Sequence, residues 1–180
     1  MQHQPVGPRP LHIYHRSNHG RLEILDSDKQ TRLYNVYRSS SKPHMAISRP
    51  APGIPEQIIG HASFHHFKSE IELSLTAQAI AMKKCGFLSS SYEVILGNTQ
   101  WTWKRDGAMT SNLKLVDQRD QTLATFDNAS WSLKKLGTLT IWGEPPLHVL
   151  DAIIVSGLGR IEYQRRAQKT HSGAILAQAS

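Results

Sequence analysis

The segment that most constrains the fold is residues 147–166, LHVLDAIIVSGLGRIEYQRR, near the end of the 180-residue chain. As a helix it would be apolar nearly all round, and such a helix is normally buried. Its apolar side chains are Leu147, Val149, Leu150, Ile153, Ile154, Val155, Leu158 and Ile161. Burying them is worth about 12–24 kcal/mol at about 1.5–3 kcal/mol each, which is comparable with the net stability of a whole domain. The rest of the chain is therefore expected to enclose this segment.

Local signals favour a helix here. Pro145 and Pro146 suit its first turn, because that turn has spare N–H groups and proline fixes φ near the helical value. A buried strand over residues 149–155 is the alternative, since three β-branched residues follow one another there. Gly157 and Gly159 weaken a helix by about 1 kcal/mol each relative to alanine, but they would let neighbouring backbone approach closely.

The composition bounds the class of protein. Hydrophobic residues make up 39% and charged residues 19% of the chain, as in globular domains. A single cysteine, Cys85, excludes an internal disulfide framework and fits a reducing compartment. The first ten residues lack the apolar region of a secretory signal. We therefore expect an intracellular protein, located in the cytoplasm, at a membrane surface or in the nucleus.

A membrane span is not expected. Only the eight residues between Asp151 and Arg160 lack charge within the most apolar segment, whereas a span needs about 20 apolar residues. The formal net charge is +7, which is compatible with anionic lipid, with nucleic acid or with solubility alone.

Before the apolar segment the chain reads as a series of short strands separated by turn residues. The predicted strands are 11–16, 21–25, 31–38, 44–48, 57–64, 69–75, 77–82, 92–96, 99–104, 112–116, 121–126 and 137–142. The strand at 44–48 is predicted as a short edge strand within a proline-rich loop, residues 39–56. Gly97-Asn98 is a two-residue hairpin signal with glycine first.

About twelve short strands followed by one apolar helix predict an all-β protein, a closed antiparallel barrel enclosing that helix. An eight-stranded barrel is filled by its own side chains and about sixteen strands leave a channel, so about twelve would hold a helix about 10 Å wide. A sandwich with the helix on one open end is the alternative. We expect a flexible tail over 1–10, one domain over 11–168 and a flexible tail over 169–180.

The order of these segments resembles a known family. The carrying features are a W-x-W-K strand (Trp101, Trp103, Lys104), an LATF strand at 123–126, a G-x-L-x-I strand (Gly137, Leu139, Ile141) and an apolar C-terminal helix that ends in basic residues. They resemble an uncharacterised family of mainly fungal domains, similar to the tubby C-terminal-like superfamily of tubby, phospholipid scramblases and plant LURP-one-related proteins. The resemblance is clearest over residues 92–166.

For fold, the resemblance implies a closed barrel of about twelve strands threaded by its C-terminal helix. For function, it implies binding of phosphoinositide headgroups, since tubby-like domains bind them through basic residues on the barrel surface. No binding residue can be carried over from the family to a position of this chain. The anchor, acidic calcium-binding segment and palmitoylated cysteines of scramblases are not visible in this sequence.

Basic pairs are the candidate binding residues. We predict that Lys104, Arg105, Lys134 and Lys135 converge to hold an anionic phospholipid headgroup, although such pairs commonly face solvent without a ligand. Trp131, beside Lys134 and Lys135, is a candidate interfacial anchor.

Catalytic and metal-binding patterns are weak. His61, His65 and His66 have a spacing that would put His61 and His65 together on a helix, but the segment reads as strand and loop, so solvated histidines are expected rather than a zinc site. No motif for nucleophilic or phosphate-transfer catalysis is present.

We therefore expect a non-enzymatic binding or adaptor module without a cofactor, with anionic phospholipid as its partner. The alternative is a barrel that binds nucleic acid or a protein through basic and aromatic surface residues. In that case a strand such as WTWKR would stack on bases.

Overall fold

Alternating apolar and polar residues form strands between residues 9 and 141, because one face of each strand is buried and the other faces solvent. The computed structural model of the protein describes residues 7–16, 20–65, 70–108 and 110–178, with side chains described as far as Lys169. The twelve strands are β1 (Arg9–His15), β2 (Arg21–Leu25), β3 (Arg32–Arg38), β4 (Met45–Arg49), β5 (Gln57–Phe64), β6 (Ile71–Leu75), β7 (Ile80–Lys84), β8 (Tyr92–Leu96), β9 (Thr99–Arg105), β10 (Leu113–Asp117), β11 (Thr122–Asn128) and β12 (Lys135–Ile141). One helix, α1 (Leu147–Gln178), follows.

All twelve strands belong to one antiparallel sheet. Its order is β6-β5-β4-β3-β2-β1-β12-β11-β10-β9-β8-β7, so β1 and β12, far apart in the chain, pair at the centre. The two edge strands, β6 and β7, lie beside each other without a ladder of hydrogen bonds between them. The sheet is thus a nearly closed barrel, and the predicted fold class is confirmed.

The helix fills this barrel. Every residue from Ala152 to Glu162 is buried, on all sides of the helix. The surrounding wall presents the inward residues of each strand, among them Leu11 and Ile13 of β1 and Leu139 and Ile141 of β12. The apolar segment is enclosed as predicted, and neither the strand alternative nor the sandwich is formed.

Two helix glycines allow strand side chains to approach. A Cβ on Gly157 would lie 3.0 Å from Cζ2 of Trp103, and one on Gly159 would lie 3.1 Å from a methyl group of Leu73. The prediction that neighbouring backbone would approach these glycines is therefore wrong in detail. Side chains rather than backbone fill the space, the Trp103 indole of β9 at Gly157 and the Leu73 side chain of β6 at Gly159.

The start of α1 is fixed to the wall by one carboxylate. Asp151 accepts a 2.9 Å hydrogen bond from the Tyr34 hydroxyl and a hydrogen bond from Arg49. Burial and the neighbouring Asp151 carboxylate raise the pKa of Tyr34 above its ordinary value. The phenol therefore stays neutral and donates, which holds the helix against β3 and β4.

Several predicted boundaries differ from the observed ones. Residues 45–49 form β4, which pairs with both β3 and β5 and so is an interior strand, not the edge strand that the prolines around it suggested. Strand β1 begins at Arg9, inside the expected 1–10 tail. The helix extends to Gln178, into the segment 169–180; the flexibility of both tails stays a prediction.

Candidate anion-binding cleft at one end of the barrel

The helix enters the barrel at one end and leaves it at the other, which we call the exit end. Because successive strands are antiparallel, their connections alternate between the two ends. The connections at the exit end follow β1, β3, β5, β7, β9 and β11, and those at 39–44, 85–91 and 129–134 are described throughout. There the Arg160 guanidinium donates to the Ser90 carbonyl and that of Arg166 donates to the Ser39 carbonyl, each at 3.0 Å. The basic residues at the end of the predicted apolar segment, Arg160 and Arg166, therefore contact the connections at the exit end.

An open cleft lies at the exit end between the helix, the end of β1 and the β11–β12 connection. Its volume is about 580 Å³, within the range of about 300–1,000 Å³ that is usual for small-ligand sites. Five of its seven lining residues are cations, and we call it the cationic cleft: Arg16, Arg38, Lys134, Arg165 and Lys169. A 2.7 Å hydrogen bond from the backbone N–H of His15 to the carbonyl of Lys134 fixes one wall.

A buried carboxylate positions part of this cleft. Glu162 is 4% exposed and accepts hydrogen bonds from Arg165 at 2.6 and 2.7 Å and from Arg166 at 2.9 Å. Arg38 lies 3.6 Å from the same carboxylate. Burial by itself would raise the pKa of Glu162, but the three guanidinium groups outweigh it and lower that pKa below its ordinary value. Glu162 therefore stays ionised and orients the three arginines around it, which together carry more positive charge than it neutralises.

The other cations of the cleft are less compensated. Arg16 forms a 2.8 Å ion pair with Glu23, which also pairs with Arg32 at 3.2 Å. Lys134 and Lys169 have no ion-pair partner among the residues that the structure describes. Two carboxylates, Glu23 and Glu162, thus pair with three of the five cations, so the cleft carries excess positive charge.

A neighbouring arginine adds to this charge. Arg160 is 4% exposed, and its guanidinium carbon lies 5.0 Å from the centre of the Tyr92 ring. Its Nε is buried without a hydrogen-bond partner among the described atoms. Burial and the positive charge of nearby Arg105 lower the pKa of Arg160 from its ordinary value. Arg160 is therefore a buried cation that contacts the 85–91 connection through the Ser90 carbonyl.

Of the four predicted headgroup ligands, Lys134 lines the cationic cleft. Lys135, the next residue, lies on the outer wall, where its ammonium is 3.1 Å from Nδ1 of His12. Burial and the positive charge of Lys135 lower the pKa of His12, which keeps that imidazole neutral. The side chains of Lys134 and Lys135 thus lie on different surfaces of the barrel, although the two residues are adjacent in the chain.

The other two predicted ligands are on β9. Lys104 forms a 2.5 Å ion pair with Asp120 on the outer wall, and Arg105 is exposed near Arg160. Because β10 and β11 separate β9 from β12, the two strands are about 14 Å apart at about 4.8 Å per strand. The structure thus places the two basic pairs on separate parts of the barrel.

A second cleft on the outer wall, of about 280 Å³, is also lined by arginines, Arg16, Arg21 and Arg32. It differs in charge, because Glu56 lines it and the carboxylate of Glu23 pairs with two of its arginines. The cationic cleft is the better candidate for an anion.

The four tryptophans divide between the interior and the surface. Trp101 and Trp103 are buried against the helix side of the wall, so their indoles do not face solvent for stacking on bases. Trp142 is partly exposed at the end where the helix enters, whereas Trp131 is fully exposed at the exit end. Trp131 is therefore accessible at the exit end, and its role as an interfacial anchor stays a prediction.

The predicted histidine group is split. His65 lies 2.7 Å from Glu72, and Nδ1 of His61 lies 3.4 Å from the hydroxyl of Ser74; His66 is outside the described residues. Within the described ranges, no group of three or more His, Cys, Asp or Glu side chains is arranged to hold a metal ion.

Sequence reasoning missed Arg16 and Arg38 as cleft residues. Each is isolated in the sequence, and neither belongs to a basic pair. A usable signal was present, since Arg16 follows β1 and Arg38 ends β3, and the ends of alternate antiparallel strands meet at one end of a barrel.

Comparisons of the chain with protein-family models, with curated proteins and with solved structures gave no match. In the part of the chain that the structure describes, no helix combines the length and the apolarity needed to span a membrane.

Proposed function

We propose that the protein is a non-enzymatic binding module whose cationic cleft takes the phosphorylated headgroup of an anionic phospholipid. The observation that carries this proposal is the convergence of five cations on one open cleft, where two carboxylates pair with them among the described residues. The resemblance to tubby-like domains supports the same class of ligand, and it stays a prediction.

The chemistry of the cleft suits a phosphate. Guanidinium groups bind phosphate oxygens through paired, charge-assisted hydrogen bonds, and Glu162 holds Arg165 in a fixed orientation before any ligand arrives. Lys134 and Lys169 add exposed ammonium groups to the lining. Each basic residue near an anionic surface contributes about 1 kcal/mol.

The proposal is tested by calorimetric titration with inositol trisphosphate and with inorganic phosphate, and by flotation with vesicles of neutral lipid with or without phosphoinositide. Removing two ammonium groups with the double variant Lys134→Gln/Lys169→Gln is expected to weaken inositol trisphosphate binding about thirtyfold, at about 1 kcal/mol per residue. Selective binding of the lipid headgroup over inorganic phosphate is also expected.

A matched control removes the same charge from the outer wall. The double variant Lys104→Gln/Lys135→Gln is expected to bind inositol trisphosphate like the natural protein. Equal loss in both double variants would mean that net charge rather than the cleft matters. Binding of single-stranded oligonucleotides without any binding of vesicles or inositol trisphosphate would overturn the proposal in favour of a nucleic-acid ligand.

A further inference from the structure

Four large apolar side chains stand almost fully in solvent at the exit end. Phe87 and Leu88 are 93% and 94% exposed on the β7–β8 connection, and Trp131 and Leu133 are 101% and 97% exposed on the β11–β12 connection. Single exposed apolar residues are common, but adjacent ones at loop tips mark interaction sites. We refer to these two connections as the apolar tips.

We propose that the exit end docks on an anionic bilayer by inserting both apolar tips between the lipids, with the cationic cleft facing the headgroups. This inference rests on the proposed function for its choice of lipid. It adds a docking surface, an orientation and four residues that the headgroup chemistry alone does not require.

Charge complementarity selects an anionic membrane as the occupant. Among described residues, the exit-end connections and helix residues 160–169 carry seven basic residues, Arg16, Lys42, Lys134, Arg160, Arg165, Arg166 and Lys169, against Glu70, Asp106 and Glu162. The connections at the opposite end carry five acidic residues, Asp26, Asp28, Glu56, Asp120 and Glu144, against Lys29 and Arg119. Arg9 and Lys104 further compensate Asp26 and Asp120, so the opposite end offers little net charge and an anionic surface favours the exit end.

The two tips lie on either side of the helix. The β7–β8 tip is held to it by the hydrogen bond between Arg160 and the Ser90 carbonyl. On the other side, Leu133 and Lys134 of the β11–β12 tip line the cationic cleft together with Arg165 and Lys169 of the helix. Apolar insertion and headgroup binding can therefore occur together on one membrane surface.

The helix end is compatible with this orientation. Its backbone continues from Lys169 to Gln178, about 14 Å at about 1.5 Å per residue. The sequence from 170 to 180 holds no Asp, Glu, Lys or Arg and includes GAILA at 173–177. The helix backbone therefore extends past Lys169 on the exit side, and the sequence that follows adds no Asp, Glu, Lys or Arg to the docking surface.

The test compares tip variants with the natural protein on two ligands. Phe87→Ser/Leu88→Ser and Trp131→Ser are each expected to weaken binding to phosphoinositide vesicles by about tenfold or more, because the removed apolar side chains no longer transfer from water into the bilayer. Binding of soluble inositol trisphosphate and thermal stability are expected to stay unchanged, since these side chains are already exposed. Ile54→Ser, an exposed apolar residue at the opposite end, is the control.

Insertion itself is measured at both tips. Trp131 emission is expected to move to shorter wavelength on vesicles and to be quenched by brominated lipid, and Trp131→Phe removes that signal. A nitroxide on Cys85, the sole cysteine and an exposed residue of the β7–β8 connection, is expected to become accessible to oxygen and protected from a water-soluble nickel complex.

The outcomes separate this inference from the proposed function. Unchanged vesicle binding in both tip variants would overturn insertion while headgroup binding stands. Failure of the natural protein to bind inositol trisphosphate, with tip-dependent vesicle binding intact, would overturn the cleft as a headgroup site but not insertion. A concentration-dependent dimer that the tip variants lose, without vesicle binding, would assign the tips to self-association instead.

Discussion

Trp103 and Ser156 join the wall of the barrel to the helix inside it: the indole Nε1 of Trp103 donates a 3.0 Å hydrogen bond to the hydroxyl of Ser156. Both residues are completely buried. The Ser156 hydroxyl in turn donates to the Ile153 carbonyl at 3.3 Å within the helix. The largest buried side chain thus has its one polar atom satisfied, and its six-membered ring can approach Gly157 so closely only because that residue has no side chain.

The first prediction concerns this contact. Gly157→Val is expected to destabilise the protein by about 3 kcal/mol, because its side chain would overlap the Trp103 ring in a packed interior. Gly86→Val, at a position with nothing within 4 Å of the added Cβ, is expected to change stability by no more than about 0.5 kcal/mol. Urea denaturation of the two variants provides the measurement. Equal stability of both would contradict enclosure of the helix.

The second prediction concerns acid stability. The pKa of Glu162 is lower in the folded protein than its ordinary value of 4.5, so the unfolded chain takes up the proton first as the pH falls. The contribution of Glu162 is therefore complete above about pH 4.5 and is lost as the pH falls through the folded-state pKa. Glu162→Gln is expected to cost about 3 kcal/mol at neutral pH, because the largely buried Arg38 and the half-buried Arg165 and Arg166 lose their carboxylate.

This cost is expected to shrink between pH 7 and pH 3, as measured by the urea midpoints of the variant and the natural protein. The comparison between the two proteins isolates Glu162 from other carboxyls whose pKa values are also lowered, such as Asp26 and Glu56. Glu144→Gln, at an exposed position, is the control. A cost that is independent of pH would contradict a buried, ionised Glu162.

The third prediction concerns Arg160. Its charge is buried with an unpaired Nε and without a carboxylate partner among the described residues, which is unfavourable. Arg160→Met is expected to raise the free energy of unfolding by about 1 kcal/mol, as seen when buried ionic groups are replaced by apolar ones of similar volume.

Arg160→Lys, which keeps the charge but loses the planar contact with Tyr92, is expected to be less stable than Arg160→Met in the same thermal unfolding measurement. The opposite order would show that charge at this position stabilises the barrel. Exchange of the backbone amides at 89–91 is expected to accelerate in Arg160→Met, since the bond to the Ser90 carbonyl is lost.

Local patterns in the chain were sufficient to predict most elements. Strand β6 was visible from the alternation of Ile71, Leu73 and Leu75 with polar residues, and the β8–β9 hairpin from Gly97-Asn98, where Gly97 has a φ of 57°. Strand β4 was misplaced at an edge because prolines on both sides suggested a loop. Its interior position depends on pairing with β3 and β5, which local composition does not encode.

The sequence by itself determined that an apolar helix needs an enclosure and that short alternating strands supply it, since burial and periodicity are properties of neighbouring residues. Only the tertiary structure decided which charges meet. Arg16, Lys134 and Lys169 share one cleft because β1 pairs with β12 and the helix leaves between their loops. Lys134 and Lys135, adjacent in the chain, face different surfaces for the same reason. The closure of the barrel and the register of its strand pairs set the direction of each side chain. Both depend on residues far apart in the sequence, so no local pattern predicts them.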